Sequence, residues 1–237
     1  MKMGMAPVAE ALRSSMAGDK PSIAVIGGTG PLGSGLARRL YAAGYAVVIG
    51  SRTAAKAEAA VAALASANGP GRLTGADNVA AAAQGEVVFL TVPWASQADI
   101  LAAIKPHLAG KLLVDTTVPL VPPKVARVQL PSEHSAALAA RAHLAGEARV
   151  VSAFHNVAAQ KLASGEAIDC DVLVFGDDPK DREIVVKLAK AMGLDAVHAG
   201  PLANSVAAEA LTSVLIGINR NYKVEGAGIR ITGIRRD

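Results

Sequence analysis

Aromatic side chains are scarce in this sequence. Phe, Tyr and Trp make up 3% of its 237 residues, and Trp94 is the single tryptophan. A core of ordinary size must then be built from Ala, Val, Leu and Ile, and the 51% hydrophobic content suffices for one α/β domain with an appendage or two small domains. The same scarcity argues against a nucleic-acid partner. The Lys and Arg residues behind the net charge of +4 and the sequence pI of about 9.3 are scattered, with no interleaved aromatics on which bases could stack. The basic balance favours small anionic molecules instead. Cysteine occurs once, at Cys170, so no internal disulfide can form, which agrees with a reducing, cytoplasmic compartment. No stretch supplies the roughly 20 uncharged apolar residues of a membrane span, so no membrane partner is expected. Near the N-terminus Glu10 and Arg13 interrupt the only candidate for a signal peptide, and residues 1–20 read as an extension, frayed or weakly helical. His-Glu metal spacing and a Ser-His-Asp order are also missing, so neither a metal site nor a nucleophilic triad is expected.

What is present is organised around residues 23–37. An apolar run, Ile23-Ala24-Val25-Ile26, breaks into Gly27-Gly28-Thr29-Gly30-Pro31-Leu32-Gly33 and resumes with Leu32, Leu36 and Leu40 at helical spacing. This predicts a strand, a phosphate-binding turn and a helix. Gly28, Gly30 and Gly33 fit G-x-G-x-x-G, while Gly27, Gly30 and Gly33 fit a turn one residue longer; both registers stay open. Either way the glycines permit a tight turn and let backbone N–H groups approach a pyrophosphate. Pro31 falls in the first helical turn, where its missing N–H is harmless, and the helix beyond adds free N–H donors and a positive dipole end.

The next strand, Ala46 to Gly50, ends where a NAD-binding unit carries an acidic residue for the ribose 2′-hydroxyl, about 20 residues past the glycines. Here the chain has Ser51-Arg52, with Lys56 one helical turn further on. A hydroxyl, a guanidinium and an ammonium suit a 2′-phosphate, so the expected cofactor is NADP(H).

Beyond this point strands and helices alternate. The pattern predicts a helix over 54–67 stopped at Asn68-Gly69-Pro70-Gly71, a short strand from Arg72 to Gly75 and a helix 78–83 capped by Asp77. A buried strand 86–92, a helix 97–104 and a strand 111–115 come next. Three prolines between Thr116 and Pro123 exclude a central strand or a helix interior, so this stretch reads as a loop over the cofactor end. A helix over 136–144, a strand 149–154, and a strand-helix-strand unit over 172–198 complete the alternation. The expected fold class is α/β, a Rossmann-like, doubly wound, mainly parallel sheet with a small C-terminal helical portion. Residues 21–199 form the NADP-binding domain, and 200–237, opening with a helix through Arg220, form the acceptor-side or dimerisation portion. Trp94, on the loop after a central strand, is expected to line the cofactor. His155, just after another strand, could donate to an acceptor ring where negative charge gathers, or be a satisfied strand-end histidine.

The Gly-Gly-Thr-Gly turn is followed by Ser51-Arg52 with Lys56, Thr91-Val92-Pro93-Trp94, Ser152-Ala153-Phe154-His155, Gly176-Asp177-Asp178 and Gly200-Pro201-Leu202-Ala203-Asn204-Ser205. From about Ser22 to Gly233 these motifs resemble the NADPH-dependent reductases of the deazaflavin coenzyme F(420). The resemblance implies reversible hydride passage between NADP(H) and the deazaflavin as co-substrate, in a Rossmann protein that is usually a homodimer. It implies that Thr29, Gly30, Pro31, Leu32, Ser51, Arg52, Lys56 and Trp94 contact NADP, and that His155 and Thr212 lie near the deazaflavin. The chain departs from the pattern at Val206, where some members carry a basic residue for the acceptor's acidic tail. Reduction of a free flavin, a ferric chelate or a small carbonyl compound is an alternative, as is a non-catalytic NADP(H) sensor. The length of the match disfavours the sensor, and the lack of a placed Lys or Tyr acid disfavours a carbonyl substrate.

Overall fold

The computed structural model describes residues 20–65 and 69–235. The expectations for residues 1–19 and for the helix stop at Asn68 lie outside them.

The strands are β1 (Ile23–Ile26), β2 (Ala46–Ser51), β3 (Arg72–Asp77), β4 (Val87–Leu90), β5 (Leu112–Asp115), β6 (Arg149–Ser152), β7 (Asp171–Gly176) and β8 (Asp195–His198). They form one eight-stranded sheet in the order β3-β2-β1-β4-β5-β6-β7-β8. Strands β3 to β6 in that order run parallel, β7 pairs antiparallel with β6, and β8 follows β7 in parallel. The helices are α1 (Pro31–Ala42), α2 (Ala54–Ala65), α3 (Asn78–Gln84), α4 (Trp94–Ile104), α5 (Ala136–Leu144), α6 (Ala159–Ser164), α7 (Pro179–Ala191) and α8 (Ser205–Tyr222).

Residues of β1, β4 and β5 are buried on both faces, which is why they read as unbroken apolar runs. One apolar layer packs α1 and α7 against the sheet around Leu36, Leu40, Phe89 and Val185, and the other packs α4 and α5 around Ile26, Leu90, Leu101 and Leu144. The aliphatic core expected from the composition is therefore two layers on the two sides of one sheet.

Several boundaries move. Strand β3 runs to Asp77 rather than Gly75, and Asp77 caps α3 directly, its Oδ1 accepting the N–H of Ala80 at 2.8 Å. Helix α4 begins at Trp94, three residues before the expected start, so Trp94 is the first residue of a helix and not part of a loop. The short helix α6 has no counterpart in the sequence reading. It packs on α1 where Gly35 leaves room: a Cβ there would lie 2.7 Å from the Cβ of Leu162. Arg39 secures that contact with hydrogen bonds to the carbonyls of Lys161, Leu162, Glu166 and Met192.

Leu202–Tyr222, with mean hydropathy 1.3, is long and apolar enough by composition to cross a membrane. Charged residues, Glu209 and Arg220, interrupt it, and polar side chains along it have partners within the fold. Glu209 is 1% exposed and hydrogen-bonded to α5, and Ser205 donates to Ser135 at 2.9 Å. Among the described residues beyond α8 there is no further strand, but the chain lies along β7, where Asp171 donates its N–H to the carbonyl of Ile229 at 2.8 Å.

Candidate functional site

The carboxyl ends of β1, β2 and β4 enclose a cleft of about 340 Å³. It is lined by Gly27, Thr29, Gly30, Ser51, Arg52, Asn78, Thr91, Val92, Pro93, Ser96 and Ile100. Its floor is the turn between β1 and α1. Gly27 takes φ of +74°, a conformation that side chains disfavour, and a Cβ there would lie 2.8 Å from Val92. Gly33 is a close-packing site, where a Cβ would come within 2.5 Å of Thr91 Oγ1 and 2.7 Å of Gly28 Cα. At Gly30 a Cβ would make only an ordinary contact, 3.4 Å from the Gly27 carbonyl oxygen. The two registers left open by the sequence are thus both used. Gly28 and Gly33 supply the close approaches of G-x-G-x-x-G, with Cβ positions 2.7 Å from the Val25 carbonyl and 2.5 Å from Thr91 Oγ1, and Gly27 supplies the left-handed residue.

The donors of this turn divide into two groups. Gly27 gives its N–H to Asn78 Oδ1 at 3.2 Å, Gly28 to the carbonyl of Gly50 at 2.9 Å, and Gly30 to the carbonyl of Gly27 at 3.0 Å. Among the described residues the N–H groups of Thr29, Leu32 and Gly33 have no partner, and Pro31 has none to give. Three free donors at the start of a twelve-residue helix form an anion cradle. Beside it Thr29 Oγ1 and Ser51 Oγ are 3.3 Å apart, Ser51 is 4% exposed, and the exposed Arg52 borders the same cleft. Lys56 is exposed in the first turn of α2. This donor set fits a dinucleotide carrying an additional phosphate on its ribose.

Trp94 is placed differently from its neighbour Pro93. Pro93 borders the dinucleotide cleft, whereas Trp94, half-buried, borders a second cleft between α4 and α5 with Gln97, Ala98, Leu101 and His143.

His155 and Thr212 are brought together from opposite ends of the second half of the chain. Phe154, with φ of +68°, turns the chain sharply out of β6; a left-handed residue of this bulk is strained, and the Phe154 ring is held 5.8 Å from that of Phe89. The turn carries His155 into a buried position, with Nε2 2.9 Å from Ser152 Oγ and Nδ1 without a partner. Burial pushes the imidazole down to about 3, so the ring is neutral at physiological pH. Thr212 donates its hydroxyl to the carbonyl of His155 at 2.9 Å, and Asn156 donates to the carbonyl of Ala208 at 2.9 Å. These contacts fasten α8 to the end of β6. The sequence reading missed Asn156 and Asn78, since an Asn in a turn or at the start of a helix gives no sign of a distant partner.

The fold and its cleft define a class, the Rossmann-like NADP oxidoreductases. A family model described as NADP oxidoreductase coenzyme F420-dependent matches residues 22–119. The F420-dependent NADP reductase of Methanothermobacter thermautotrophicus is 40% identical over 220 residues, covering 90% of this chain and 95% of its own. That of Methanocaldococcus jannaschii is 38% identical, covering 90% and 98%. A crystal structure from Arthrobacter sp. FB24 superposes with TM-score 0.74 at 28% identity, covering 90% of this chain and all of the other. This chain belongs to the F420-dependent NADP reductase family.

Proposed function

We infer that this chain is an oxidoreductase that transfers a hydride reversibly between NADP(H) and the deazaflavin coenzyme F420, as its curated relatives are named for doing. The observation that carries the reading is the pairing of near-complete coverage of those relatives with a cleft whose free donors fit a phosphorylated dinucleotide. When bound, the nicotinamide and deazaflavin rings carry the hydride chemistry between themselves, and the protein supplies placement and electrostatics.

The N–H groups of Thr29, Leu32 and Gly33 receive the pyrophosphate, and Gly28, Gly30 and Pro31 shape the turn that presents them. Ser51, Arg52 and Lys56 take the 2′-phosphate through charge-assisted hydrogen bonds that NAD(H) lacks. Trp94, expected to line the cofactor, borders the second cleft between α4 and α5 instead and takes no part in this assignment. On the acceptor side His155 is assigned to the deazaflavin: its Nδ1 is unpartnered but buried and reaches the ring once the chain covering it moves aside, with Thr212 holding the backbone that carries it. Residues 200–237 form the acceptor-side portion, an arrangement supported by the contacts of α8 with His155 and Asn156. The chain works on small molecules as a cytoplasmic homodimer, to which the exposed Val214, Ile218 and Tyr222 of α8 offer an apolar strip.

Anaerobic mixing of the enzyme with NADPH and the deazaflavin, followed by absorbance, tests the reading. Deuterium on the transferring face of NADPH should appear in the reduced deazaflavin. Reduction of a free flavin or a ferric chelate with no reduction of the deazaflavin would overturn it.

A further inference from the structure

Asn78 is the first residue of α3, directly after the capping Asp77, and it is 8% exposed. It lies 51 positions from Gly27 in sequence, yet its Oδ1 accepts the Gly27 N–H at 3.2 Å, and it borders the dinucleotide cleft. Its amide passes close beneath β2, where a Cβ on Gly50 would be 3.0 Å from Oδ1 and 3.2 Å from the Val25 carbonyl. The Gly50 carbonyl in turn accepts the N–H of Gly28 at 2.9 Å. Two hydrogen bonds, from Gly27 to Asn78 at the start of α3 and from Gly28 to Gly50 of β2, therefore brace the turn, and Asn78 packs against Gly50 between them.

We propose that Asn78 is a positioning residue for dinucleotide binding: by holding the Gly27 N–H it sets the turn in which Thr29, Leu32 and Gly33 keep their own N–H groups free. The inference rests on the NADP(H) reading of the cleft. Without Oδ1 the Gly27 N–H is left as a donor short of a partner, at a residue already in the left-handed conformation. The turn can then satisfy that donor only by rotating a peptide unit, which moves the neighbouring amides from their common direction. The pyrophosphate is shared by NADPH and NADH, so the effect falls equally on both. A residue touching the 2′-phosphate would change their ratio instead.

The test compares Asn78→Leu, which removes the acceptor at similar volume, with Asn78→Asp, which keeps an oxygen in reach of Gly27. Amide exchange of Gly27 is followed by NMR in the cofactor-free protein, and dissociation constants are measured for NADPH and NADH. In Asn78→Leu the Gly27 amide should lose protection and both cofactors should weaken about tenfold by the same factor, with kcat at saturation changed less than twofold. Asn78→Asp should retain the protection and recover most of the affinity. Unchanged affinity in Asn78→Leu, a shifted NADPH-to-NADH ratio, or an Asp variant no better than Leu would each overturn the proposal. If Asn78→Leu does not fold, Asn78→Ser, too short to reach Gly27, carries the same expectations. A wild-type protein that binds neither cofactor contradicts the reading of the cleft, whereas Gly27 protection still reports on the Asn78 contact.

Discussion

Glu209 of α8 caps α5 across the fold, its Oε2 accepting the N–H of Ala136 at 2.6 Å and its Oε1 that of Ala137 at 3.2 Å. The carboxyl is buried, and burial pushes it up to about 7, opposed by the Ala136 N–H and reinforced by nearby Asp115. Burial likewise pushes Asp115 up to about 6, against hydrogen bonds from Thr117 and Gln97. This buried polar cluster joins β5, α4, α5 and α8 at the carboxyl edge of the sheet.

A folded-state value above the ordinary 4.5 means that the native protein holds the Glu209 proton more tightly than the unfolded chain does. The resulting stability is full below about pH 4.5 and is lost as pH rises through about 7. Denaturant melts at pH 5 and pH 7.5 should show wild type losing about 1–3 kcal/mol relative to Glu209→Gln over that interval. Asp115 acts in the same sense over a lower window, from 3.8 to about 6, and is common to both proteins. Glu209→Ala leaves two N–H groups without a partner and should cost about 2–4 kcal/mol at pH 5 and correspondingly less at pH 7.5.

Arg52→Ala should weaken NADPH at least tenfold, about 1.4 kcal/mol, while leaving NADH nearly unchanged. Titration with each cofactor checks this. The prediction differs in kind from that for Asn78, because Arg52 stands where only the 2′-phosphate distinguishes the ligands.

Gly33→Ala places a methyl 2.5 Å from Thr91 Oγ1, whose hydroxyl donates to the carbonyl of Ile26 at 2.7 Å. Backbone borders the methyl on its other side, so α1 must shift from β1. A loss of about 1–3 kcal/mol in stability is expected, together with weaker NADPH binding. Gly30→Ala, with only an ordinary 3.4 Å contact at its Cβ, should fold normally and lose only affinity; thermal melts with and without NADPH separate the two effects.

His155 is neutral in the folded state because burial lowers it to about 3. Its contribution to stability is full above about pH 6.5 and is lost as pH falls toward 3. NMR of the ring should therefore show no titration between pH 5 and 8, and the pH profile of kcat should carry no inflection from it. His155→Ala should slow hydride transfer by about 1–3 kcal/mol if Nδ1 donates to the acceptor. Thr212→Val, which removes the hydrogen bond to the His155 carbonyl, should cost about 0.5–1.5 kcal/mol of stability.

What the amino-acid sequence determined is local. The glycine run, Pro31 and the leucine spacing specify strand, turn and helix. The unbroken apolar runs specify strands covered on both sides, and Asp77 specifies the start of α3. Each of these rests on backbone preferences or side-chain chemistry acting within a few residues. What the tertiary structure decided is everything that depends on which distant segments meet. The reversal of β7 against β6 depends on the path of a long connection through α6, and the sequence period of a strand is the same in either direction. The pairing of Gly27 with Asn78, of Glu209 with the start of α5, and of Thr212 with His155 joins residues that share no sequence pattern. Even the glycine register was settled only in space, because a glycine needed for φ and a glycine needed for close packing are the same letter until the neighbouring atoms are in place.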